Sequence, residues 1–187
     1  TIKKFKNKWE ICGQGIGSFS GSNYLLNMGN SGTAARLLMG VVAGSDVEAT
    51  FTGDESLSKR PMRMVILPLL KTGAMFKEPD KDTLPITLRG NKIPLPLTYQ
   101  SPVSSAQIKS CILLSGLSSL GKTTVIEPSL SRDHTERMLK FLGANVETTQ
   151  LQDMSWKISV QGLPELKPLN INVPSDPSSA AFPIVSA

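Results

Sequence analysis

The stretch from Asn30 to Arg36 combines small residues with the polar start of an apolar helix, and this combination is typical of a phosphate site. Its sequence, Asn-Ser-Gly-Thr-Ala-Ala-Arg, leads directly into the apolar residues 37–43. The first N–H groups of a helix have no partner within the helix, and the helix dipole makes that end positive. Small residues let the backbone approach a bound oxyanion. Because Ser, Gly and Thr are also ordinary helix-start residues, a simple cap is the competing interpretation.

The composition favours a globular protein with anionic ligands. Of the 187 residues, 40% are hydrophobic and 19% are charged, and the net charge is +5. These values are typical of folded domains. Only 5% of the residues are aromatic, and no basic stripe is interleaved with aromatic residues as base stacking requires. No apolar run reaches membrane-spanning length. We therefore expect neither nucleic acid nor a membrane among the partners.

The cysteines and the histidine do not form a metal-binding pattern. Cys12 and Cys111 are far apart, and the chain has only one histidine, so no metal and no other cofactor is expected. Both cysteines lie among apolar residues. This predicts two buried thiols in a reducing compartment rather than a disulfide.

Similar motifs return along the chain at an interval of about 73 residues. Strand-like segments close with a glycine at three positions, which are 75 and 72 residues apart: Gly15, Gly90 and Gly162. Polar helix starts recur at three positions, which are 73 and 74 residues apart: Ser31, Ser104 and Ser178. Since each start leads into an apolar run, the sequence predicts about two and a half copies of one unit.

The residues between these positions predict the order of elements within a unit. In the first complete copy, a strand at 25–28 precedes the first helix, an alternating strand follows at 47–52, and a second helix covers 61–72. The second copy repeats this order with strands at 97–99 and 123–127. Together with the closing strands, this predicts a βαβαββ unit.

The burial pattern predicts that the helices lie inside and the sheets outside. The first helix of each unit is apolar on nearly all sides, so it is expected to be buried. The strands alternate between apolar and polar residues, so one face of each sheet is expected to meet water. This arrangement is the reverse of most α/β proteins.

Four ordered motifs resemble the enolpyruvyl transferases, and within them the 5-enolpyruvylshikimate-3-phosphate synthases. They are Leu26 to Arg36, Gly53 to Met62, Ser104 to Ser110, and Ser131 to Leu139. The Ser-Ala-Gln and Ser-Arg-Asp-His-Thr-Glu forms are similar to the bacterial branch with low herbicide sensitivity. The resemblance extends over essentially the whole chain. It implies an inside-out α/β barrel lobe of repeated βαβαββ units with buried helices and solvent-facing sheets.

The resemblance also implies a reaction. Enzymes of this family join shikimate 3-phosphate to phosphoenolpyruvate: a hydroxyl adds to the enol carbon, the methylene group is protonated, and phosphate is eliminated. The reaction belongs to aromatic amino acid biosynthesis and needs no metal. The implied protein is a cytoplasmic monomer whose active site lies between two lobes of three units each.

For phosphoenolpyruvate, the resemblance implies three contact residues. Arg60 matches the arginine that contacts this substrate, and a guanidinium group can bind phosphate or carboxylate through two hydrogen bonds. Gly32 matches a glycine that lines the pocket, and Gln107 matches a residue that reaches both substrates. The low-sensitivity branch often has Ala at the position of Gly32. Because this chain has Gly, we hypothesise that the pocket admits glyphosate.

For shikimate 3-phosphate, the resemblance implies Ser105, Ala106, Gln107 and Arg132. A helix start offers hydroxyl and backbone N–H donors to a phosphate, and Ala106 is expected to contribute only through its backbone. A plain serine cap is the alternative interpretation of Ser105.

Other polar residues in the motifs receive no ligand role. Asn30 and Arg36 are expected to shape the turn before the first helix. Asp133 and Glu136 have the spacing of a capping box, so we expect them to be structural. His134 is not assigned, because a histidine in a first helical turn is commonly exposed or capping. Lys109, one turn into its helix, is compatible with a second phosphate contact and equally with simple exposure, so it is not assigned either.

The resemblance places the chain in the N-terminal lobe of a longer enzyme. Residues 1–173 are expected to form most of that lobe, as about two units plus the tail of another. Residues 174–187 are expected to cross into the C-terminal lobe and begin its first helix. The family's proton-transfer groups match no residue here, so we expect no catalytic residue within the chain, and no turnover and weak phosphate binding by the chain alone.

Two alternatives remain open at the level of sequence. The first is the sister enolpyruvyl transferase that acts on UDP-N-acetylglucosamine and typically uses a loop cysteine. Cys12 lies in a predicted strand and Cys111 in an apolar helix, which argues against it. The second is a non-catalytic phosphate- or RNA-binding module built from the same unit. The lack of stacking aromatic residues argues against RNA.

Overall fold

The structure, a computed structural model, describes residues 1–174 and 185. Two short strands come first: β1 (Ile2–Lys4) and β2 (Trp9–Ile11) pair in antiparallel orientation. They form a separate two-stranded sheet whose residues are all exposed.

The first complete unit has the predicted βαβαββ order. Its elements are β3 (Ser20–Asn27), α1 (Gly32–Ala43), β4 (Asp46–Thr52), the short α2 (Glu55–Ser58), α3 (Arg63–Lys71), β5 (Met75–Phe76) and β6 (Ile86–Arg89). The four strands form one sheet in the order β3-β4-β6-β5. The pair β3–β4 is parallel, and α1 crosses over between these two strands.

The second unit repeats this topology. Its elements are β7 (Thr98–Gln100), α4 (Ala106–Gly116), β8 (Lys122–Glu127), α5 (His134–Phe141), β9 (Val146–Gln150) and β10 (Trp156–Gln161). The strand order β7-β8-β10-β9 is that of the first sheet, with a parallel first pair and antiparallel neighbours after it. The repeat predicted from the sequence is therefore present in both units.

Serine residues start the two inner helices. The Ser31 hydroxyl accepts a hydrogen bond from the Ala34 N–H at 3.1 Å, and the Ser105 hydroxyl accepts one from the Ile108 N–H at 3.5 Å. Each serine satisfies one of the N–H groups that have no partner within the helix. Both helix starts are therefore serine-capped, as the motif predicted.

Glycines allow α1 and α4 to pack unusually closely. A Cβ atom on Gly40 would lie 2.2 Å from the carbonyl oxygen of Cys111, and one on Gly44 would lie 2.7 Å from that of Ser115. The two backbones are thus in direct contact, with no room for a side chain between them. Most of the α4 residues are buried, which confirms the prediction of interior helices.

The strands show the predicted alternation. In β4, Val47, Ala49 and Phe51 are buried, whereas the residues between them are partly exposed. One face of the sheet thus packs on the helices and the other meets water. The mixed α/β class with inner helices is confirmed.

Two predictions about individual residues are wrong. Cys12 is exposed, because the two-stranded sheet of β1 and β2 beside it is itself exposed at every residue. The spacing of Thr135, Met138, Leu139 and Leu142 predicts one apolar stripe on α5, but Met138 is 43% exposed and Glu136 is buried instead. Cys111 is buried as predicted.

Two further points concern the range of residues that the structure describes. No helix among them is long and apolar enough to cross a membrane. The third predicted helix start, at Ser178, lies outside the described residues, as does nearly all of the predicted crossing at 174–187.

Candidate functional site

The turn before α1 and the turn after β4 are tied together by Asn30. Its side-chain amide donates to Asp54 Oδ2 at 2.7 Å, and its carbonyl oxygen accepts from Arg60 Nη2 at 2.8 Å. Asp54 also caps α2, because its Oδ1 accepts from the Leu57 N–H at 2.8 Å. The Leu57 N–H, the Asn30 amide and the charge of Arg60 stabilise the carboxylate and lower the pKa of Asp54. Asn30 therefore shapes this site, as expected.

Gly32 lies directly against the guanidinium group of Arg60. A Cβ atom on Gly32 would be 3.3 Å from Arg60 Nη1 and 3.6 Å from Leu57 Cδ1. Ser56 Oγ accepts a further hydrogen bond from Arg60 Nη2, at 3.2 Å. The structure thus brings together Gly32 and Arg60, two of the three residues predicted for phosphoenolpyruvate, although they are far apart in the sequence.

Gln107 connects the starts of α1 and α4. Its side-chain amide donates to Thr33 Oγ1 at 2.8 Å, and its carbonyl oxygen accepts from Arg36 Nη1. Arg36 also donates to the carbonyl oxygen of Pro61 at 3.0 Å. Arg36 thus orients Gln107 and the loop next to Arg60, in keeping with a shaping role.

Two guanidinium groups lie near each other at this junction. Partial burial and the positive charge of Arg60 lower the pKa of Arg36. Like charges held close together repel each other, and a bound anion would relieve that repulsion. The region between Gly32 and Gln107 is therefore electrostatically suited to an anion.

A cavity of about 170 Å³ lies at the start of α4. It is lined by residues from α1, α4 and the start of α5: Thr33, Leu37, Ala106, Gln107, Ser110, Arg132, His134 and Thr135. No carboxylate is among these described lining residues. The structure therefore brings Ala106, Gln107 and Arg132 together, with Ser105 next to them as the helix cap.

Arg132 supplies a positively charged side chain to the lining of this cavity. Its side chain is exposed, and within residues 1–174 and 185 it makes neither an ion pair nor a hydrogen bond. It faces the positive end of α4 across the cavity. A guanidinium group opposite a helix start can bind a phosphate through charge-assisted hydrogen bonds from both sides.

Lys109 has a structural role that its position in the sequence did not reveal. Its side chain is fully buried. Its Nζ lies 2.6 Å from Glu136 Oε1 and 3.2 Å from Glu127 Oε1, and it donates to the Ser131 carbonyl oxygen at 3.4 Å. The contact with Glu136 is close but lacks the angle of a hydrogen bond, so neither Glu136 oxygen has a hydrogen-bond partner among the described residues.

The predicted capping box at the start of α5 is wrong. Asp133 is the N-cap residue of α5, but its side chain accepts no capping hydrogen bond. Glu136, its expected partner, turns inward to Lys109. The charge pairing with a buried lysine outweighs the local preference for a cap. His134, which was left unassigned, is exposed at the rim of the cavity.

A larger cavity of about 690 Å³ lies away from these groups. It is next to the opposite ends of α1 and α4, at Val41 and Leu114, and its lining includes Ile11, Gly13 and Lys167 but no arginine. Its mostly apolar lining does not suit a phosphate. As for metals, the described part of the chain contains no group of three or more His, Cys, Asp or Glu side chains that could hold an ion.

Comparisons with known proteins give one consistent result. The family model for EPSP synthase (3-phosphoshikimate 1-carboxyvinyltransferase) matches residues 1–187. The 3-phosphoshikimate 1-carboxyvinyltransferases of Parvibaculum lavamentivorans and Afipia carboxidovorans are 52% and 51% identical over 179 residues, which cover 96% of this chain and 40% of theirs. The solved EPSP synthase of Acinetobacter baumannii has a TM-score of 0.85 and 43% identity, and the match covers 100% of this chain and 41% of that one. The chain thus spans about 40% of the length of these curated relatives.

Proposed function

Since the chain belongs to the EPSP synthase family, as its motifs indicated, we propose that it is part of a 3-phosphoshikimate 1-carboxyvinyltransferase. The complete protein transfers the enolpyruvyl group of phosphoenolpyruvate to the 5-hydroxyl of shikimate 3-phosphate and releases phosphate. It acts in aromatic amino acid biosynthesis, as a cytoplasmic monomer. Within it, residues 1–173 form most of the N-terminal lobe, and residues 174–187 lead into the second lobe.

The observation that best supports this proposal is the cavity at the start of α4. It combines Arg132 with the backbone N–H groups and the positive end of a helix, and no carboxylate opposes an anion there. Each charge-assisted hydrogen bond to a phosphate contributes about 1.5–3 kcal/mol. In this proposal Ser105, Ala106, Gln107 and Arg132 hold the phosphate end of shikimate 3-phosphate.

The neighbouring group around Arg60 is proposed to hold phosphoenolpyruvate. Gly32 leaves the guanidinium group accessible, and the bonds from Asn30 and Ser56 fix its orientation. Gln107 lies between the two groups through its bonds to Thr33 and Arg36. This arrangement suits two anionic substrates that must react with each other.

The residues of this chain contribute binding and orientation. Holding two anions side by side removes the entropic cost of bringing them together in the reaction. Proton transfer to the methylene group and from the hydroxyl needs acid–base groups that match no residue here, so we propose that the rest of the protein supplies them. No metal is required in this scheme.

The two alternative functions are less consistent with the site. Cys12 is exposed, but its neighbours Ile11 and Gly13 line the larger cavity at the opposite ends of the helices. Burial raises the pKa of the Cys111 thiol to about 12, so that thiol is not reactive at neutral pH. Within residues 1–174 and 185, no Phe, Tyr or Trp lines the cavity at α4, which argues against RNA.

Steady-state kinetics of the full-length protein test the proposal. With phosphoenolpyruvate present, we expect phosphate release that depends on shikimate 3-phosphate and not on UDP-N-acetylglucosamine. Phosphate release with UDP-N-acetylglucosamine but not with shikimate 3-phosphate would assign the sister activity. No phosphate release with either acceptor would refute the transferase assignment. The 187-residue chain by itself is expected to bind inorganic phosphate weakly and to form no product.

A further inference from the structure

The loop that carries Arg132 is fastened to the protein interior by one buried cluster. Residues 128–133 connect β8 to α5 without regular structure. Ser131, next to Arg132, donates to Glu127 Oε1 through its backbone N–H at 2.9 Å and through its hydroxyl at 2.9 Å. Its carbonyl oxygen accepts from Lys109 Nζ at 3.4 Å. Every polar group of Ser131 is therefore bound to the cluster formed by Lys109, Glu127 and Glu136.

Burying three charged side chains together is an energetically unfavourable way to stabilise a fold. Lys109 is 0% exposed, Glu127 is 1% exposed and Glu136 is 2% exposed. Removing charges from water costs free energy, and replacing such a buried cluster by apolar residues is often neutral or stabilising. The free-energy cost of burying these charges is explained if the cluster fixes a geometry that apolar packing would not hold. That geometry is the distance between Arg132 and the start of α4, because Lys109 is on α4 and Ser131 is beside Arg132.

A second contact holds the β8 end of the same loop, at Ser129, against the start of α4. Ser104 Oγ lies 2.8 Å from Ser129 Oγ and accepts from the Ser129 N–H at 2.9 Å. The loop is thus held on both sides of Leu130. The Arg132 guanidinium itself has no such restraint among the described residues.

We propose that Lys109 and Glu127 are positioning residues for phosphate binding: they hold Ser131, through its hydroxyl as well as its backbone, so that Arg132 faces the start of α4. Glu136 has a different role, since it contacts Lys109 but not Ser131. It balances the buried charge without fixing the loop. The proposal rests on the proposed function, in which Arg132 binds the phosphate of shikimate 3-phosphate.

The difference between the two glutamates gives a matched test in the full-length protein. Glu127→Leu and Glu136→Leu each remove one carboxylate and leave Lys109 with the other, so both perturb the buried charge alike. Only Glu127→Leu releases Ser131. The measurements are KM and calorimetric Kd for shikimate 3-phosphate, KM for phosphoenolpyruvate, kcat, and the melting temperature.

We expect Glu127→Leu to raise KM and Kd for shikimate 3-phosphate about tenfold, with kcat changed less than about twofold. Glu136→Leu should change both constants less than about twofold, although it also lowers the melting temperature. Glu127→Gln, which keeps an acceptor for Ser131, should restore most of the affinity lost in Glu127→Leu. Equal effects of the two leucine variants on Kd, or no effect of either, would overturn the proposal.

Two further measurements keep the result interpretable. If Glu127→Leu does not fold, Ser131→Ala decides: it removes only the hydroxyl bonds, and an unchanged Kd for shikimate 3-phosphate would overturn the proposal. If the wild-type protein shows no turnover, the proposed function fails. Binding of inorganic phosphate to the two leucine variants, followed by NMR, then tests positioning separately, and equal affinities would count against it.

Discussion

Adding a single methyl group at Gly32 perturbs the Arg60 site in a way that the structure makes specific. In Gly32→Ala the new Cβ would lie 3.3 Å from Arg60 Nη1, which is closer than an ordinary van der Waals contact. Leu57 is fully buried on the other side, 3.6 Å away, and cannot move aside. The guanidinium group must therefore shift by a few tenths of an ångström. Its bonds to Asn30 and Ser56 limit how it can do so.

The expected effect differs between phosphoenolpyruvate and glyphosate. Loss of one charge-assisted hydrogen bond costs about 1.5–3 kcal/mol, which corresponds to about 10- to 100-fold in affinity. Glyphosate has one more atom than phosphoenolpyruvate between its carboxylate carbon and its phosphorus. The methyl group shortens the pocket, so the longer ligand should lose the full amount. For phosphoenolpyruvate we expect KM to rise less than about fivefold.

The assay is inhibition of the full-length enzyme by glyphosate at several phosphoenolpyruvate concentrations. The matched control is Gly13→Ala, because a Cβ atom there would meet nothing within 4 Å. The control should leave both constants unchanged. An unchanged glyphosate Ki in Gly32→Ala would refute the argument, and so would an equal rise of Ki and of KM for phosphoenolpyruvate.

Three further predictions concern other parts of the structure. Arg132→Ala should raise Kd for shikimate 3-phosphate about 10- to 100-fold in calorimetry and leave KM for phosphoenolpyruvate nearly unchanged. The control is Arg137→Ala, at an exposed arginine on the neighbouring helix α5, which should alter neither constant; equal losses in the two variants would show a non-specific charge effect. Gly40→Ala should destabilise the protein by about 1–3 kcal/mol or more in denaturant unfolding, because its Cβ would lie 2.2 Å from the Cys111 carbonyl oxygen; an unchanged midpoint would mean that the helices do not pack so closely. The pKa of Asp54 is lowered by folding, so its carboxylate contributes stability that is present above the unfolded pKa of about 3.9 and is lost as pH falls through the folded pKa. Asp54→Asn, which removes the charge and keeps a capping side chain, should therefore have a lower melting temperature than the wild type above about pH 5. This difference in melting temperature should disappear on acidification, and a difference independent of pH would contradict the argument.

The repeat and the inner helices could be predicted because their signals are local. Ser31 and Ser105 start helices whose residues are apolar on nearly all sides, and β4 alternates residue by residue. Such patterns depend on the geometry of one element and not on its neighbours. They were sufficient for the order of helices and strands in both units.

The errors come from contacts between elements. Lys109 looked like an ordinary residue one turn into a helix, and its partners belong to β8 and α5. The same contacts draw Glu136 inward, away from the predicted capping box. No local rule carries this information, because the pairing exists only after the units have packed.

The site itself was partly predictable. The motifs predicted Gly32, Arg60, Gln107 and Arg132 as candidate site residues, but not the distances between them. The contact of Gly32 with Arg60 and the bridge from Gln107 to Thr33 follow from the approach of α1 to α4. That approach depends on Gly40 and Gly44, which the sequence analysis did not single out.

The central claim is that the cavity at the start of α4 holds the phosphate of shikimate 3-phosphate. A crystal structure of the full-length protein with this substrate tests the claim directly. We expect the phosphate oxygens to lie about 2.7–3.2 Å from the Arg132 guanidinium group and from the hydroxyl or backbone N–H donors of Ser105 and Ala106. A phosphate bound elsewhere, with Arg132 still facing solvent, would contradict the account.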